Sequence, residues 1–245
     1  MGLSLSPQLL SSSYHRALIM IYVWINTYNR PDELNTLLSD IERDIGSHEH
    51  IIRIYNDGSN KEYSINSRLN IKYSMTHHHG KKMYWGLLNI GMSEIRNNKP
   101  FEYYIRLDDD VRLVDGFFNK IINIWEGITN PNKVSLFPLL DSREGQKVWT
   151  GQDPILIEEE KVYDCGWVDD MYLCNRRFFE GINFEIPPIS QSRWKKNPNL
   201  STGTGRYVSK TLYNKGLKMY LVTETLIYHH ERTKEHPSVM NPKNY

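Results

Sequence analysis

Three consecutive carboxylates, Asp108, Asp109 and Asp110, follow an apolar run that begins at Tyr103. Such a run is typical of a buried strand, and ligands bind at the carboxyl ends of strands in open α/β sheets. Adjacent carboxylates repel one another unless water, hydrogen-bond donors or a cation relieve the repulsion. Mg²⁺ and Mn²⁺ bind carboxylate oxygens and are often bound by substrate phosphates at their remaining coordination positions. The triplet is therefore a candidate metal site. A solvated turn at a strand end is the alternative interpretation.

The elements before the triplet alternate between strand and helix patterns. A near-continuous apolar run over residues 20–25 predicts a parallel strand that is covered on both faces, and Pro31 opens an amphipathic helix. A second strand over residues 51–55 ends at the turn signal of residues 56–59. Strand, helix and strand predict a right-handed unit whose two turns face the same edge as the aspartate triplet.

The second half of the chain continues this pattern. We predict a helix over residues 117–127, a strand over 134–139 and a short antiparallel pair over 155–157 and 161–163. A helix that contains Val208 and Leu212 ends near Gly216, and two strand runs follow over residues 218–222 and 225–231.

Composition limits the function classes. The chain has 245 residues, with 30 Lys and Arg against 29 Asp and Glu, which gives no electrostatic case for unspecific nucleic-acid binding. Cys165 and Cys174 match neither a zinc spacing nor a disulfide framework, so a reducing compartment is the simpler interpretation. No apolar run approaches the roughly 18 residues of a membrane span. We expect a cytoplasmic protein, in the host cytoplasm if it is phage-encoded, with a disordered leader or upstream extension over residues 1–19.

Two other clusters could do chemistry. Three consecutive histidines, residues 77–79, point in different directions on a strand or turn, so they make a poor metal site. Lys81 and Lys82 follow at the start of a helical pattern, where they would meet a diphosphate or simply remain solvated.

The three strand-end turns carry a resemblance when they are taken together. Residues 27–31 (Thr-Tyr-Asn-Arg-Pro), 56–59 (Asn-Asp-Gly-Ser) and 108–110 (Asp-Asp-Asp), in this order and at these separations, resemble the GT-A nucleotide-sugar glycosyltransferases, particularly those of family 2. The resemblance implies a single Rossmann-like α/β domain over residues 20–232, with a mostly parallel central sheet, helices on both faces and a small antiparallel part on the acceptor side. Residues 20–115 would bind the nucleotide sugar and residues 116–232 the acceptor, followed by a polar tail or lid over 233–245.

The resemblance also implies site residues. Asp57 would hydrogen-bond the base, usually uracil, and Asp108 and Asp110 would be the acidic ends of a D-x-D motif that binds Mn²⁺ or Mg²⁺. His229, or alternatively His230, would complete the metal site. The remaining residues expected to bind the nucleotide sugar, probably a UDP-sugar in this family, are Thr27, Tyr28, Asn29, Arg30, Lys81 and Asp109.

The catalytic base departs from the family pattern. Family 2 enzymes place Glu-Asp just before the helix that follows residue 203, whereas this chain has Thr-Gly-Thr-Gly there. Either Asp169, Asp170 or Asp153 takes the proton of the acceptor hydroxyl, or the enzyme retains configuration and needs no base at that place. Asp169 and Asp170 could equally cap the helix that follows them.

The acceptor side has aromatic and basic candidates, which are Trp149, Trp167, Arg193, Trp194 and Lys195. They would suit a hydroxymethyl pyrimidine in phage-type DNA, and a cell-surface glycan or lipid-linked sugar is the alternative acceptor. Two rival classes are a sugar nucleotidyltransferase and a non-catalytic carbohydrate-binding domain. The first usually has a glycine-rich loop after its first strand, which residues 26–31 lack, and the second does not need three carboxylates at one strand end.

Overall fold

The computed structural model describes residues 20–140, 153–166, 171–189 and 203–229. The elements of the first half are β1 (Met20–Thr27), α1 (Pro31–Asp44), β2 (Glu49–Asn56), β3 (Ile71–Met75), a 3₁₀ turn (Lys81–Met83), α2 (Tyr84–Asn97) and β4 (Tyr103–Asp108). Those of the second half are β5 (Val111–Leu113), α3 (Phe117–Gly127), β6 (Lys133–Leu140), β7 (Ile155–Ile157), β8 (Glu160–Asp164), β9 (Tyr172–Cys174), α4 (Arg176–Gly181), α5 (Thr204–Asn214) and β10 (Lys218–His229).

Within the described residues, ten strands form one sheet in the order β3-β2-β1-β4-β9-β6-β10-β8-β7, and β5 pairs with β10. Strands β1, β2, β3, β4, β6, β7 and β10 run in one direction, while β5, β8 and β9 run in the other. The prediction of a mostly parallel sheet is therefore confirmed. The reversed strands all follow β4 in the chain, so the antiparallel part belongs to the second half.

Both faces of the sheet are covered by helices, as predicted, and β1 shows why. Ile21, Val23 and Ile25 join the buried cluster that contains the apolar faces of α1 and α3. Tyr22 and Trp24 point the other way and join the cluster formed with α2, α4 and α5. Because successive side chains of a strand alternate between its faces, an unbroken apolar run is what two covered faces require.

Two aspartates of α1 anchor the chain that follows the Asp108–Asp110 triplet. The buried carboxylate of Asp40 accepts hydrogen bonds from Arg112 at 2.6 and 2.9 Å and from the backbone N–H of Leu113 at 3.1 Å. Burial alone would raise the pKa of Asp40, but these hydrogen bonds lower it overall. Asp44 accepts the N–H groups of Gly116 and Phe118 at the start of α3. These contacts hold β5 in place, directly after the triplet.

Several elements differ from the sequence-based predictions. β3, β5 and β9 were not predicted, and the two terminal strand runs are one strand, β10, with register shifts near Val222 and Thr225. The helix after Asp170 begins only at Arg176, beyond β9, and Asn175 occupies its N-cap position. The interpretation of Asp169 or Asp170 as the cap of that helix is therefore wrong. Among the helices that the structure describes, none is both long and apolar enough to cross a membrane.

Helix α2 contacts β1 closely at Gly91, so a larger residue at this position should destabilise the fold. A Cβ at this position would lie 2.5 Å from the ring of the buried Trp24, whose indole N–H is held by Asn26. A Gly→Ala change inside a helix normally stabilises by up to about 1 kcal/mol. Here we expect the clash to reverse the sign, so that Gly91→Ala lowers the free energy of unfolding by roughly 1–3 kcal/mol in urea titrations. Ser93→Ala, at an exposed position of α2, is the matched control; equal stability of the two variants would contradict the packing.

Candidate functional site

The register of the parallel strands brings three turns to one edge of the sheet. Thr27 at the end of β1 is paired with Asn56 at the end of β2. Asn26 is paired with Asp108 at the end of β4 on the other side of β1. The loop after β1, the turn after β2 and the aspartate triplet are thus neighbours at the carboxyl edge, where ligands bind in open α/β sheets.

The loop after β1, residues 27–30, is held by the segment between β2 and β3. The hydroxyl of Tyr63 lies 2.8 Å from the Thr27 hydroxyl and accepts the N–H of Arg30 at 2.8 Å. Asn29 adopts a left-handed conformation with φ of 57°, and its side-chain oxygen accepts the N–H of Asn60 at 2.9 Å. The carbonyl of Arg30 accepts the N–H of Leu34 in α1 at 3.1 Å, so the backbone of the loop is held on both sides of the Arg30 Cα.

The three aspartates differ in burial and in partners. Asp109 is 5 % exposed and accepts the backbone N–H of Tyr28 at 3.3 Å and the Nη1 of Arg30 at 3.0 Å. The same nitrogen of Arg30 lies 2.6 Å from Oδ2 of Asp110. Asp108 is one-third exposed and accepts Nη2 of Arg106 at 3.2 Å. Burial raises the pKa of Asp109 to about 6 although Arg30 and Thr27 oppose the rise.

A buried polar chain supports Asp108 from within the sheet. Arg106 is only 2 % exposed, and its Nη2 donates to the hydroxyl of Tyr84 as well as to Asp108. The side-chain amide of Asn26 also donates to Tyr84, at 3.3 Å, and Asn26 accepts the indole N–H of Trp24 at 2.8 Å. Sequence reasoning missed Arg106 and Tyr84. The available signal was a charged residue inside an otherwise apolar strand.

Asp57 organises the histidine segment, residues 77–80. Its Oδ1 accepts the N–H of His79 at 2.7 Å and lies 2.9 Å from Nδ1 of the same residue. Its Oδ2 accepts the N–H of Gly80 at 2.9 Å and lies 3.2 Å from Nδ1 of His78. The ring of His78 stacks on Tyr28 with centroids 4.4 Å apart. Gly58, with φ of +69°, makes the approach possible because a Cβ there would lie 2.6 Å from the His78 nitrogen.

The remaining predicted site residues belong to several different elements of the fold. Lys81 is exposed at the entry to α2, directly after the histidine segment. His229, the last residue of β10, is paired with Val111, so the antiparallel β5–β10 ladder brings it beside the residue that follows Asp110. Asp153 is exposed just before β7. The other candidates lie outside the described residues; they are Trp149, Trp167, Asp169, Asp170, Arg193, Trp194, Lys195 and His230.

The donor chemistry at this edge suits a hard divalent cation. Asp108 and Asp110 offer carboxylate oxygens and His229 an imidazole, a mixture typical of Mn²⁺. In the part of the chain that the structure describes, no three His, Cys, Asp or Glu side chains already converge on a common point. Instead, arginine side chains contact the carboxylates. The residues present fit such an ion, provided that the side chains rearrange around it.

Comparisons with known proteins define the class of fold. No family model matches the sequence, and no curated protein matches it. Among solved structures, S. aureus TarS 1-349 in complex with UDP-GlcNAc is 12 % identical, with a TM-score of 0.59 over 91 % of this chain and 62 % of that chain. The mannosyltransferase PcManGT from Pyrobaculum calidifontis, in complex with GDP-Man and Mn²⁺, is 11 % identical, with a TM-score of 0.60 over 88 % of this chain and 58 % of that one.

These two structures are of the GT-A type, and the chain has the GT-A fold, as the turn motifs predicted. A further structure of S. aureus TarS 1-349 is similar at a TM-score of 0.57 and 12 % identity, over 86 % of this chain. This chain spans about 60 % of the TarS 1-349 chain and 37 % of the longer TarS chain. At these identities the likeness establishes the fold and leaves the activity to be argued from the site.

The burial of Asp109 should make the stability of the fold depend on pH. Its pKa in the folded chain, about 6, lies above the unfolded value of about 4. Its contribution to stability is therefore complete below about pH 4 and is lost as the pH rises through 6, by roughly 2–3 kcal/mol. We expect Asp109→Asn to remove this loss, so that the variant gains stability relative to the unmodified chain between pH 4 and 7 in urea titrations.

Asp115→Asn provides the control for this titration because the Asp115 side chain is 92 % exposed. Its stability should follow that of the unmodified chain at every pH. Parallel curves for Asp109→Asn and the unmodified chain would show that the Asp109 carboxyl does not titrate as its burial requires.

Proposed function

We propose that the chain is a metal-dependent glycosyltransferase that transfers a sugar from a nucleotide sugar, a UDP-sugar in the first instance, to an acceptor hydroxyl. The observation that carries the proposal is the strand register that gathers residues 27–30, Asp57 and Asp108 at one edge of a GT-A fold. The complexes of TarS with UDP-GlcNAc and of PcManGT with GDP-Man and Mn²⁺ support it. In this proposal residues 20–115 bind the donor and residues 116–232 the acceptor.

The leaving group of such a reaction is a nucleoside diphosphate, which gains negative charge as the glycosidic bond breaks. Asp108, Asp110 and His229 would hold Mn²⁺ or Mg²⁺, which acts as a Lewis acid on that charge when it is bound. Arg106 orients Asp108 from below through its 3.2 Å contact. Lys81, exposed at the entry to α2, would meet the diphosphate from the solvent side.

The donor base would lie against the turns after β1 and β2. Tyr28 is exposed on one side and stacked on His78 on the other, which leaves a flat aromatic surface at the edge of the site. Oδ1 of Asp57 is occupied by His79, and Oδ2 accepts the N–H of Gly80 and lies 3.2 Å from Nδ1 of His78. An N–H of a base such as uracil would bind Asp57 by replacing the His78 contact on Oδ2. Thr27 and Asn29 would border the ribose.

The acceptor half contains the proposed base and the acceptor contacts. A carboxylate, from Asp169, Asp170 or the exposed Asp153, would take the proton of the acceptor hydroxyl in an inverting reaction. For the acceptor we propose a hydroxymethyl pyrimidine in DNA, with Arg193 and Lys195 on phosphates and Trp149, Trp167 or Trp194 on the displaced base. A glycan or lipid-linked sugar is the alternative acceptor class.

The reaction is tested by release of UDP or GDP from a panel of nucleotide sugars, with and without Mn²⁺. We expect metal-dependent release from one donor, and roughly a hundredfold loss or more in Asp110→Asn and in Asp108→Asn, because each removes a carboxylate from the proposed metal site. Asp115→Asn makes the same charge change on the exposed turn before α3 and should keep its activity. Undiminished Mn²⁺-stimulated release in Asp110→Asn would refute the metal assignment. A nucleotidyltransferase would instead release diphosphate from a nucleoside triphosphate.

The acceptor proposal is tested with hydroxymethylated DNA and simple sugars in the same assay. Replacing Arg193, Lys195 and Lys196 together by Ala should lower the use of DNA about tenfold, since each removed cation weakens phosphate binding. Donor hydrolysis should be unchanged. The control replaces three lysines that are exposed elsewhere, Lys72, Lys99 and Lys161. Equal loss of hydrolysis and transfer would contradict an acceptor-side role, and stimulation by sugars alone would favour the glycan alternative.

A further inference from the structure

One guanidinium bridges two of the three carboxylates at the end of β4. Nη1 of Arg30 lies 3.0 Å from Oδ1 of Asp109 and 2.6 Å from Oδ2 of Asp110. The side chain of Asp109 is buried and that of Asp110 is 17 % exposed, whereas the side chain of Arg30 is 34 % exposed. The bridge joins the loop after β1 to residues about eighty positions later in the chain.

This bridge conflicts with the binding of a cation. Asp110 is one of the proposed metal ligands, and one of its oxygens is already in close contact with a positive charge. A guanidinium and a divalent cation on the same carboxylate repel each other, and the repulsion is strongest where water is partly excluded. The contact with Arg30 therefore weakens the binding of a cation to Asp110, and breaking that contact strengthens it.

The side chain of Arg30 can move away from the carboxylates while its backbone stays in place. Its N–H is held by the Tyr63 hydroxyl, and the following residue, Pro31, opens α1. The guanidinium, by contrast, reaches solvent on one side. Its planar set of donors matches a phosphate in two-point contacts, and it is more weakly hydrated than an ammonium group. A diphosphate that arrives at this edge offers it a second set of anionic partners.

We propose that Arg30 is a built-in competitor of the divalent cation at Asp110, and that the donor diphosphate relieves the competition by drawing the guanidinium away. This inference rests on the proposed function, because it takes the metal site and the diphosphate from it. Metal and nucleotide are then thermodynamically coupled. The nucleotide raises the affinity for the metal, and the metal raises the affinity for the nucleotide by the same factor.

The test is a Mn²⁺ titration of the folded protein followed by electron paramagnetic resonance, alone and with saturating UDP or GDP. For the unmodified chain we expect weak binding of Mn²⁺ alone, and an increase of about tenfold or more when the matching nucleotide is present. Arg30→Gln should bind Mn²⁺ alone about tenfold more tightly and gain less from the nucleotide. Arg30→Lys keeps the charge, so its affinity for Mn²⁺ should stay close to that of the unmodified chain.

The control is Arg43→Gln. Arg43 also bridges two carboxylates, Asp40 at 2.8 Å and Asp115 at 3.1 Å, but in the last turn of α1. Its removal changes the net charge by the same amount and should leave the affinity for Mn²⁺ unchanged. Thermal unfolding establishes that each variant is folded, and Arg30→Ala, with the same expected result, replaces Arg30→Gln if the latter does not fold.

Three outcomes overturn the inference. They are equal or weaker binding of Mn²⁺ by Arg30→Gln, binding by Arg30→Lys as tight as that by Arg30→Gln, and an unmodified chain whose affinity for Mn²⁺ ignores every nucleotide. The metal titration contains no sugar donor, so it separates this inference from the proposed reaction. Tighter metal binding by Arg30→Gln in a chain that transfers no sugar would support the competition and refute the reaction. Metal-independent transfer without any binding of Mn²⁺ would support sugar transfer but refute both the competition and the metal dependence of the reaction.

Discussion

The mutual repulsion of Asp108, Asp109 and Asp110 is the constraint on which the candidate site depends. Three adjacent carboxylates at a strand end are costly unless each has its own compensation. Asp108 is compensated from its own strand by Arg106, and the other two are compensated by Arg30 from the loop after β1. Since the backbone of that loop also donates to Asp109, the conformation of the loop and the ionisation of the triplet depend on each other.

This compensation requires the register of β1 between β2 and β4. A slip of one residue would move Asn26 away from Asp108 and would also turn Trp24 and Ile25 to the opposite faces of the sheet. The two apolar clusters therefore fix the site indirectly, because the same strand supplies the packing and the edge. The packing of α2 against β1 is tight at Gly91, where the ring of Trp24 occupies the place of a Cβ.

The parts of the fold that the sequence predicted are those with local signals. β1, β2, β4 and β6 are long apolar runs, and α1 and α3 show helical spacing from Pro31 and Phe117 onward. β3 alternates partly exposed residues without a clear pattern, and β5 and β9 have only three residues each, too few for a periodicity. These segments are strands because their backbones form hydrogen bonds with neighbouring strands of the sheet.

The site was predictable to the same extent. The turns could be placed at one edge because parallel strands place their carboxyl ends together, but the contacts between the turns could not be predicted. Arg30 and Asp110 are far apart in the chain, and so are Asp57 and His79. No local pattern pairs such residues. Only the three-dimensional register does so, which is why the histidine segment had no assigned partner in the sequence.

The two arginines at the triplet compensate the negative charge of its carboxylates in different ways. Arg106 is buried on all sides and is bound to Tyr84 as well as to Asp108, so it provides a permanent counter-charge. Arg30 reaches solvent and provides a counter-charge that can be exchanged. With both in place, three ionised carboxylates retain one uncompensated negative charge. If a divalent cation replaces Arg30, that charge is cancelled, and the displaced guanidinium becomes an additional partner for an incoming diphosphate. Under the proposed exchange, the triplet would carry one net negative charge before the donor binds, and the displaced guanidinium would be neutralised by the diphosphate afterwards.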